Sequence, residues 1–413
     1  MRTLGNLFFM SLTLLVRLGT GLFLFAGVAR FLGVEQFGRF SYWTAIASLA
    51  MLLTSFGFNL SLLREIPQHP ERCDELLSTA LGCKVLLMIP ALLLFLFVLW
   101  LRPSDWPHLP AIGAIFCTTL LFVLTETINV AMRALGNFKQ EARLALVGNL
   151  FNLTVVLTAA YLYRSLLAVA LAYLLTRLLQ AGLTLHNFAS IRGHWFRLHW
   201  NLSRQLQTLR GNFVYATDAW LASAYQQIDV VLLELFVDLR AVGLYQAGSK
   251  FYKTLLMLAG AINNVFIPRM ASSRSQPIRF RRAWQGYTMA MALYGGVGAL
   301  FLTFLAEQLT HWLFGPEYAG LAQLFPWFGL ILLVRSLAAA AGGVLTVLGH
   351  QRFRVITNSV SLAVLVGSAL WLLPLLGVMG LMYSLLAANV AILTIYLFFF
   401  LSGRTVSTVK PPS

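Results

Sequence analysis

Residues 29–43, ARFLGVEQFGRFSYW, are partly repeated 205 positions later at residues 234–248, ELFVDLRAVGLYQAG. In this alignment Gly38 corresponds to Gly243, Phe40 to Tyr245 and Leu32 to Val237. Each copy follows a long apolar stretch and opens another. Because the loop recurs at half the length of the chain, the sequence predicts two similar lobes built from apolar segments.

The composition indicates a membrane protein. Of the 413 residues, 59% are hydrophobic and 11% are charged, and the mean hydropathy is +0.77. Soluble domains carry about 25% charged residues. Apolar runs of 18 or more residues recur along the chain, and each can cross a hydrocarbon core of about 30 Å as a helix. None alternates in the manner of barrel strands, so the sequence predicts an all-α, polytopic membrane protein.

About twelve such runs are present, which gives two lobes of six helices. The predicted spans are 7–29, 41–63, 79–101, 109–132, 144–163, 165–186, 213–236, 243–267, 285–306, 322–348, 355–374 and 378–401. The corresponding domains are an N-terminal lobe (1–190), a basic cytoplasmic linker (191–212), a C-terminal lobe (213–402) and a short cytoplasmic tail (403–413). An offset of six spans keeps both copies of the repeat on one side of the membrane. The lobes are therefore expected to be related by a pseudo-two-fold axis along the membrane normal.

The net charge of +16 follows the positive-inside rule. If the N-terminus is cytoplasmic, 20 of the 30 basic residues lie in cytoplasmic segments: Arg2, Arg64, Arg72, Lys84, Arg133, Lys139, Arg143, Arg192, Arg197, Arg204, Arg210, Arg269, Arg274, Arg279, Arg281, Arg282, Arg352, Arg354, Arg404 and Lys410. The external segments hold only Arg30, Arg39, Arg102, Arg164 and Arg240. This asymmetry predicts a multi-pass inner-membrane protein with both termini in the cytoplasm. Nucleic acid is not needed to explain the charge.

Five basic residues fall inside the predicted spans: Arg17, Arg177, Lys250, Lys253 and Arg335. One Arg or Lys at the centre of a span costs about 2.5–3.5 kcal/mol. Five facing lipid would cost on the order of 12–18 kcal/mol, comparable to the whole stability of a domain. These side chains are therefore expected to face the protein interior or a watery cavity.

Polar residues at helical spacing accompany these charges. Asn6 lies eleven residues before Arg17, and Asn264 eleven residues after Lys253, so each pair shares a helix face. Asn59 ends a similar polar arc on the second span. The predicted substrate-binding residues of the cavity are Arg17, Arg177, Arg335, Lys250, Lys253, Asn6, Asn59 and Asn264. Snorkelling or ion pairing of the two lysines, and helix–helix packing through the small polar residues, are the alternatives.

Three intramembrane acids are candidates for ion coupling: Asp218, Asp229 and Glu126. Asp218 and Asp229 are eleven residues apart and share a face of the seventh span. Carboxylates within transporters relay protons, although pairing with the lysines of the eighth span explains them equally. Basic groups dominate the mid-span stripes, and guanidinium binds phosphate through paired, charge-assisted hydrogen bonds. The cavity is therefore expected to take an anionic or phosphate-bearing substrate.

An ordered set of short motifs resembles the polysaccharide or O-antigen flippases of the multidrug/oligosaccharidyl-lipid/polysaccharide (MOP) exporter superfamily. These motifs lie at residues 29–33, 37–40, 57–65, 135–139, 227–229, 242–245, 313–315, 317–318 and 348–349. The resemblance implies two six-helix lobes, alternating access and a cationic central cavity. It also implies a substrate of the polyprenyl-diphosphate-linked oligosaccharide class, moved from the cytoplasmic to the external leaflet for cell-surface polysaccharide biosynthesis. The expected partners are this glycan, membrane lipid and glycan polymerase or assembly proteins.

Two other functions are compatible with parts of the sequence. A multidrug/cation antiporter of the same superfamily would need acids in the N-terminal lobe, whereas the first span carries Arg17 and no acid. A membrane enzyme such as a glycan polymerase or ligase would need a long external loop with clustered Arg, His and Glu, and the external segments 102–109 and 307–321 carry no such cluster. No phosphate-binding Gly-rich motif is present, and the three cysteines lack metal-type spacing. We expect no enzyme activity, no cofactor and no metal.

Overall fold

The computed structural model describes residues 18–196, 198 and 200–402, and within residues 211–226 it describes the helix without the side chains. The described part is almost entirely helical and contains no β-strand. Its helices are α1 (Leu18–Leu32), α2 (Val34–Ser55), α3 (Phe58–Glu65), α4 (Cys73–Trp100), α5 (Leu109–Ala134), α6 (Phe138–Tyr163), α7 (Leu166–Arg192), α8 (Leu202–Phe236), α9 (Leu239–Ser272), α10 (Pro277–Phe304), α11 (Ala306–Leu309), α12 (Phe325–Val347), α13 (Gln351–Leu376) and α14 (Val378–Leu401).

The helices confirm an all-α, polytopic membrane protein. In the described residues nine helices are long and apolar enough to cross a membrane, and the bent pair α2–α3 makes a tenth. The predicted spans 7–29 and 213–236 coincide with α1 and α8 but fall partly outside the described residues. Several helices extend beyond the apolar runs, and α8 begins at Leu202. The second half of the predicted linker 191–212 is therefore helical.

The chain divides into two compact units, Met1–Val231 and Leu232–Ser413. In the first unit α5, the fourth predicted span, packs against α2 and α7, while α2 also packs on α4 and α6 on α7. In the second unit α12, the tenth span, packs against α9 and α14, while α9 also packs on α10 and α13 on α14. Each packing pair recurs six spans later, so the duplication seen in the sequence extends to the packing of the helices.

The repeated loop begins a helix at the same position in both copies. Val34 starts α2 and Leu239 starts α9, and these two residues are aligned by the offset of 205. The preceding residues act differently: Gly33 has a φ of 77°, whereas the Asp238 carboxylate accepts a hydrogen bond from the Ala241 amide at 2.6 Å. A side-chain cap of this kind satisfies an otherwise unpaired amide in the first helical turn.

The two units differ within the span that follows this loop. In the first unit the span bends by 46° between α2 and α3. Phe56 and Gly57 at the bend have φ of 31° and 70°, and a residue with a side chain pays about 1–2 kcal/mol for this left-handed conformation. In the second unit α9 continues through the aligned residues 261–262 without a break. The bend is a feature of the first unit alone.

Small residues allow close packing of α10 and α12 in the second unit. A Cβ atom built on Gly329 would lie 2.9 Å from the Ala299 carbonyl oxygen and 3.0 Å from Ala299 Cα. A Cβ on Gly295 would lie 3.0 Å from Leu333 Cα. These are backbone atoms that cannot move without separating the helices. Small residues at such crossings let helices in a membrane gain van der Waals contact.

We predict that Gly329→Ala lowers the stability of the protein by about 1–3 kcal/mol, because the added methyl group forces the two backbones apart. The measurement is the thermal unfolding midpoint of the purified protein in detergent. Gly296→Ala on α10 is the matched control, since a Cβ there meets no atom within 4 Å. An unfolding midpoint equal for both variants would contradict the close α10–α12 contact.

Candidate functional site

The first unit buries a lysine that the sequence analysis placed among the solvated cytoplasmic charges. Lys84 lies on α4 with a relative exposure of 1%. Its Nζ donates to Thr127 Oγ1 on α5 at 2.7 Å and to Asn59 Oδ1 on α3 at 3.2 Å. Lys84 was counted with the cytoplasmic segments, and the structure instead buries its side chain between α3, α4 and α5. Its position within the predicted span 79–101 was the signal that could have identified it.

A second group of charges lies beside this lysine. Arg133 at the end of α5 contacts Glu126 at 2.6 Å and Glu141 on α6 at 2.9 Å. Glu126, predicted as an ion-coupling residue, therefore shares a guanidinium with a second carboxylate. The three side chains are between 15% and 22% exposed, so water screens them less than it screens a surface pair.

The same face of α5 also positions Arg177. Phe122 precedes Glu126 by one helical turn, and the Arg177 guanidinium on α7 lies 4.9 Å from the centroid of its ring. Arg177 Nη1 donates to Gln180 Oε1 at 2.7 Å. A guanidinium over an aromatic face is attracted by the ring quadrupole. One face of α5 thus contacts both Arg133 of α5 and Arg177 of α7.

In the second unit the predicted cavity residues lie on two helices that pack together, α9 and α12. Lys250, Lys253 and Arg335 are each half-buried, and each interacts with neighbouring groups of the chain. The charges of Lys250 and Lys253 also act on each other. Asn264 on α9 is exposed. The adjacent Asn263, not singled out by the sequence, accepts a hydrogen bond from Tyr287 OH at 2.6 Å.

The structure describes only some of the remaining predicted residues. Asn6 and Arg17 lie outside the described residues, and of Asp218 only the helix is described. Asp229 is 3% exposed, and its Oδ1 accepts from the amide of the next residue, Val230, at 2.9 Å. Asn59 is held by Lys84 and not by another member of the predicted cavity.

The corner of the first unit where α2 meets the α4–α5 turn contains an ion cluster that the sequence did not reveal. Asp105, in the turn before α5, is 1% exposed. It accepts from Arg39 Nε at 2.9 Å and Trp43 Nε1 at 3.1 Å, and Arg102 Nε lies 3.3 Å from its Oδ2. Two of these donors belong to the repeated loop 29–43. Since a buried carboxylate needs such partners, the cluster fixes the start of α2 to the α4–α5 turn.

Acidic residues in the first turn of α4 hold the basic segment that follows α7. Arg192 donates to both oxygens of Asp74 at 3.2 Å, and His194 Nε2 lies 3.2 Å from the same carboxylate. Arg204 on α8 pairs with Glu75. Acids near a helix N-terminus are favoured by the helix dipole. The basic linker therefore has structural partners in addition to its role in topology.

Solved structures of transporters and of a flippase share the fold of this chain. A lipid II flippase, MurJ in an inward closed conformation, superposes with a TM-score of 0.66 at 13% identity, covering 97% of this chain and 90% of the other. An inward-facing multidrug resistance MATE family transporter of the MOP superfamily gives 0.64 at 14%, covering 97% and 100%. A MOP superfamily transporter from Pyrococcus furiosus, described by the reverse polarity of its binding pocket, gives 0.59 at 15%, covering 98% and 96%.

The sequence itself shows the family. The family model "Polysaccharide biosynthesis protein" matches residues 4–274, so the chain belongs to the polysaccharide biosynthesis protein family. The amylovoran biosynthesis protein AmsL of Erwinia amylovora is 22% identical over 308 residues, which cover 72% of this chain and 78% of the relative. The family match confirms the predicted relation to polysaccharide biosynthesis proteins, and the solved structures share the fold that the resemblance implies.

We predict that Arg133→Met destabilises the protein by about 2–4 kcal/mol, because Glu126 and Glu141 lose the guanidinium between them. Adding Glu126→Gln should recover part of this loss, since only one carboxylate then remains without a counter-charge. The four thermal unfolding midpoints of the double-mutant cycle measure the coupling. Additive losses in the cycle would contradict the pairing of Glu126 with Arg133.

Proposed function

We propose that this protein is a flippase that moves a polyprenyl-diphosphate-linked oligosaccharide from the cytoplasmic to the external leaflet of the inner membrane. The observation that carries the proposal is the family match over residues 4–274. The shared fold supports it, because one solved neighbour is a lipid II flippase. A lipid-linked glycan and membrane lipid are the partners of this function, and glycan polymerase or assembly proteins act on the exported product.

The diphosphate is the part of this substrate that the basic residues can bind. Guanidinium and ammonium groups donate charge-assisted hydrogen bonds to phosphate oxygens, and Arg does so in a paired geometry. We assign this role to Arg17, Arg177, Arg335, Lys250 and Lys253, with Asn6 and Asn264 donating to sugar hydroxyls. Asn59 is not retained in the set, since it accepts from Lys84. The polyprenyl tail stays in the lipid while the head group passes.

Alternating access of the two lobes provides the transport step. The ligand shifts the equilibrium between the inward-open and outward-open states only through a difference in affinity for them. We propose that the lobes 1–190 and 213–402 are related by an axis along the membrane normal, with both termini in the cytoplasm. The function is transport and not catalysis, because the external segments carry no cluster suited to glycosyl transfer.

The charge of the spans favours this function over a multidrug/cation antiporter. The fold alone does not separate the two, since the MATE transporter and the lipid II flippase superpose with TM-scores of 0.64 and 0.66. A cavity for an organic cation should present uncompensated carboxylates. In the described part of the first unit Glu126 is paired with Arg133 and Asp105 with Arg39. These two carboxylates are thus already neutralised by arginines.

We predict that Arg335→Ala and Arg17→Ala each reduce export about tenfold or more, because each removes a charge-assisted contact to the diphosphate. The measurement is the amount of surface polysaccharide in a deletion strain carrying each variant at equal expression. Arg335→Lys should retain more export than Arg335→Ala, since the positive charge remains. Arg279→Ala, an exposed arginine on α10, is the control. Intact export in both alanine variants would refute the cationic cavity.

A further inference from the structure

Lys84 has an unusual environment for an ammonium group. It is 1% exposed, and the acceptors of its two described hydrogen bonds, Thr127 Oγ1 and Asn59 Oδ1, are neutral. A lysine in such surroundings can lose its proton at an accessible pH, unlike an arginine. An ionisable residue of this kind inside a membrane protein is by default a candidate functional group.

The charges around Lys84 come from the helices that pack on this part of the unit. On α5, Glu126 acts on the Lys84 ammonium, but Arg133 contacts Glu126 at 2.6 Å. On α6, Glu141 faces the same Arg133.

The other neighbours of Lys84 are neutral. On α3 the contact is Asn59, and α2 carries no charged residue after Arg39. On α8, the amide of Gln205 lies against α4 at Gly82. Among these charged residues, Lys84 is the one whose two described hydrogen bonds go to neutral acceptors.

The hydrogen bond from Lys84 to Asn59 crosses to a segment at a bend. Asn59 is in the first turn of α3, immediately after the left-handed pair Phe56 and Gly57. The ammonium therefore ties α3 to α4 and, through Thr127, to α5. Charge-assisted hydrogen bonds are about twice as strong as neutral ones. Loss of the proton would weaken the tie at the point where the span is already strained.

The neighbours of Lys84 are not fully buried. Asn59 is half-buried, and the Glu126 side chain is 21% exposed. The buried ammonium is therefore separated from the surroundings of the protein by partly exposed side chains.

We propose that Lys84 is a proton-binding site whose occupancy sets the position of α3. With the proton bound, Nζ donates to Asn59 and Thr127 and holds α3 against α4 and α5. When an N–H bond breaks, the proton passes to a water molecule, the electron pair stays on Nζ, and the weakened tie releases α3. The role of Lys84 in energising transport rests on the proposed function. The link between proton binding at Lys84 and the position of α3 does not.

The test follows the position of α3 directly. Leu60 on α3 is 65% exposed, so Leu60→Cys can carry an environment-sensitive fluorophore, with the exposed Cys117 replaced by serine. The labelled protein is titrated in detergent from about pH 5 to pH 10. With Lys84 present, the emission should change with pH. Lys84→Arg should remain in the low-pH form and Lys84→Met in the high-pH form over the whole range.

Two further variants keep the test decisive if Lys84→Arg does not fold. Thr127→Val removes the shorter hydrogen bond at nearly constant volume and should move the transition to lower pH, by about 1–2 pH units. Lys139→Met, which removes an exposed lysine on α6, should leave the response unchanged. An unaltered transition in Lys84→Met overturns the proposed proton site.

Export of polysaccharide is scored separately in the deletion strain. If the parent chain does not restore surface polysaccharide, the proposed flippase function fails while the pH response of the probe stands. If the parent restores export and Lys84→Met exports at the same rate, the role of Lys84 in transport is overturned. Loss of export in Lys84→Met with normal export in Lys139→Met supports that role.

Discussion

The cost of an uncompensated charge away from water is the constraint on which this structure depends. In hydrocarbon there is no solvent to pair with an ionised group, so the protein must supply the partners itself. The first unit does this with Asp105 at the corner between α2 and the α4–α5 turn, and with Arg133 between two glutamates. These contacts join α2 to the α4–α5 turn and α5 to α6. The requirement to pair charges thus also determines which helices are tied together.

In the second unit the corresponding corner is packed differently. The residue aligned with Trp43 is Gly248, and a Cβ on Gly248 would lie 2.4 Å from Phe328 Cε2. The Phe328 ring therefore fills the space that a side chain at 248 would occupy, and its centroid lies 5.7 Å from that of Tyr245. Tyr318 is fully buried nearby and packs on Phe314. Duplication preserved the packing of the helices, while an ion cluster in one copy corresponds to an aromatic cluster in the other.

This difference affects how the two corners respond to change. A buried ion cluster loses several contacts together when one partner is removed. An aromatic cluster is held by dispersion and shape and tolerates small displacements more gradually. The first unit also carries the break between α2 and α3, whereas α9 is continuous. The first unit therefore combines an ion-paired corner with a bent span, and the second unit combines an apolar corner with a continuous span.

The sequence predicted the fold well because hydropathy and the repeat act over whole helices. Apolar runs identified each described long helix, and the offset of 205 aligned the starts of α2 and α9. Side-chain contacts were harder to predict, since they depend on rotation of one helix against another. Lys84 was misplaced because a charge near the end of an apolar run can be solvated or buried. Asp105 was missed because its three donors come from residues 39, 43 and 102, which no local pattern connects.

The bend at Phe56 and Gly57 was also not predicted. The run 41–63 is apolar throughout, and a single glycine within a span does not by itself indicate a break. The segment that follows these two residues is held on two sides. In particular, α3 buries Phe58 and Leu62 in the apolar core of the first unit, while Lys84 holds Asn59 from the polar side.

The proposed movement of a lipid-linked glycan between leaflets can be measured as translocation in reconstituted vesicles. A fluorescent polyprenyl-diphosphate-linked oligosaccharide is placed in both leaflets, and an impermeant quencher reports the fraction that becomes accessible with time. If the protein is a flippase, vesicles that contain it should expose the inner-leaflet glycan faster than protein-free vesicles. A polyprenyl-linked glycan without the diphosphate should cross no faster than in protein-free vesicles. Equal rates with and without the protein for the diphosphate-linked glycan would contradict the proposed flippase function.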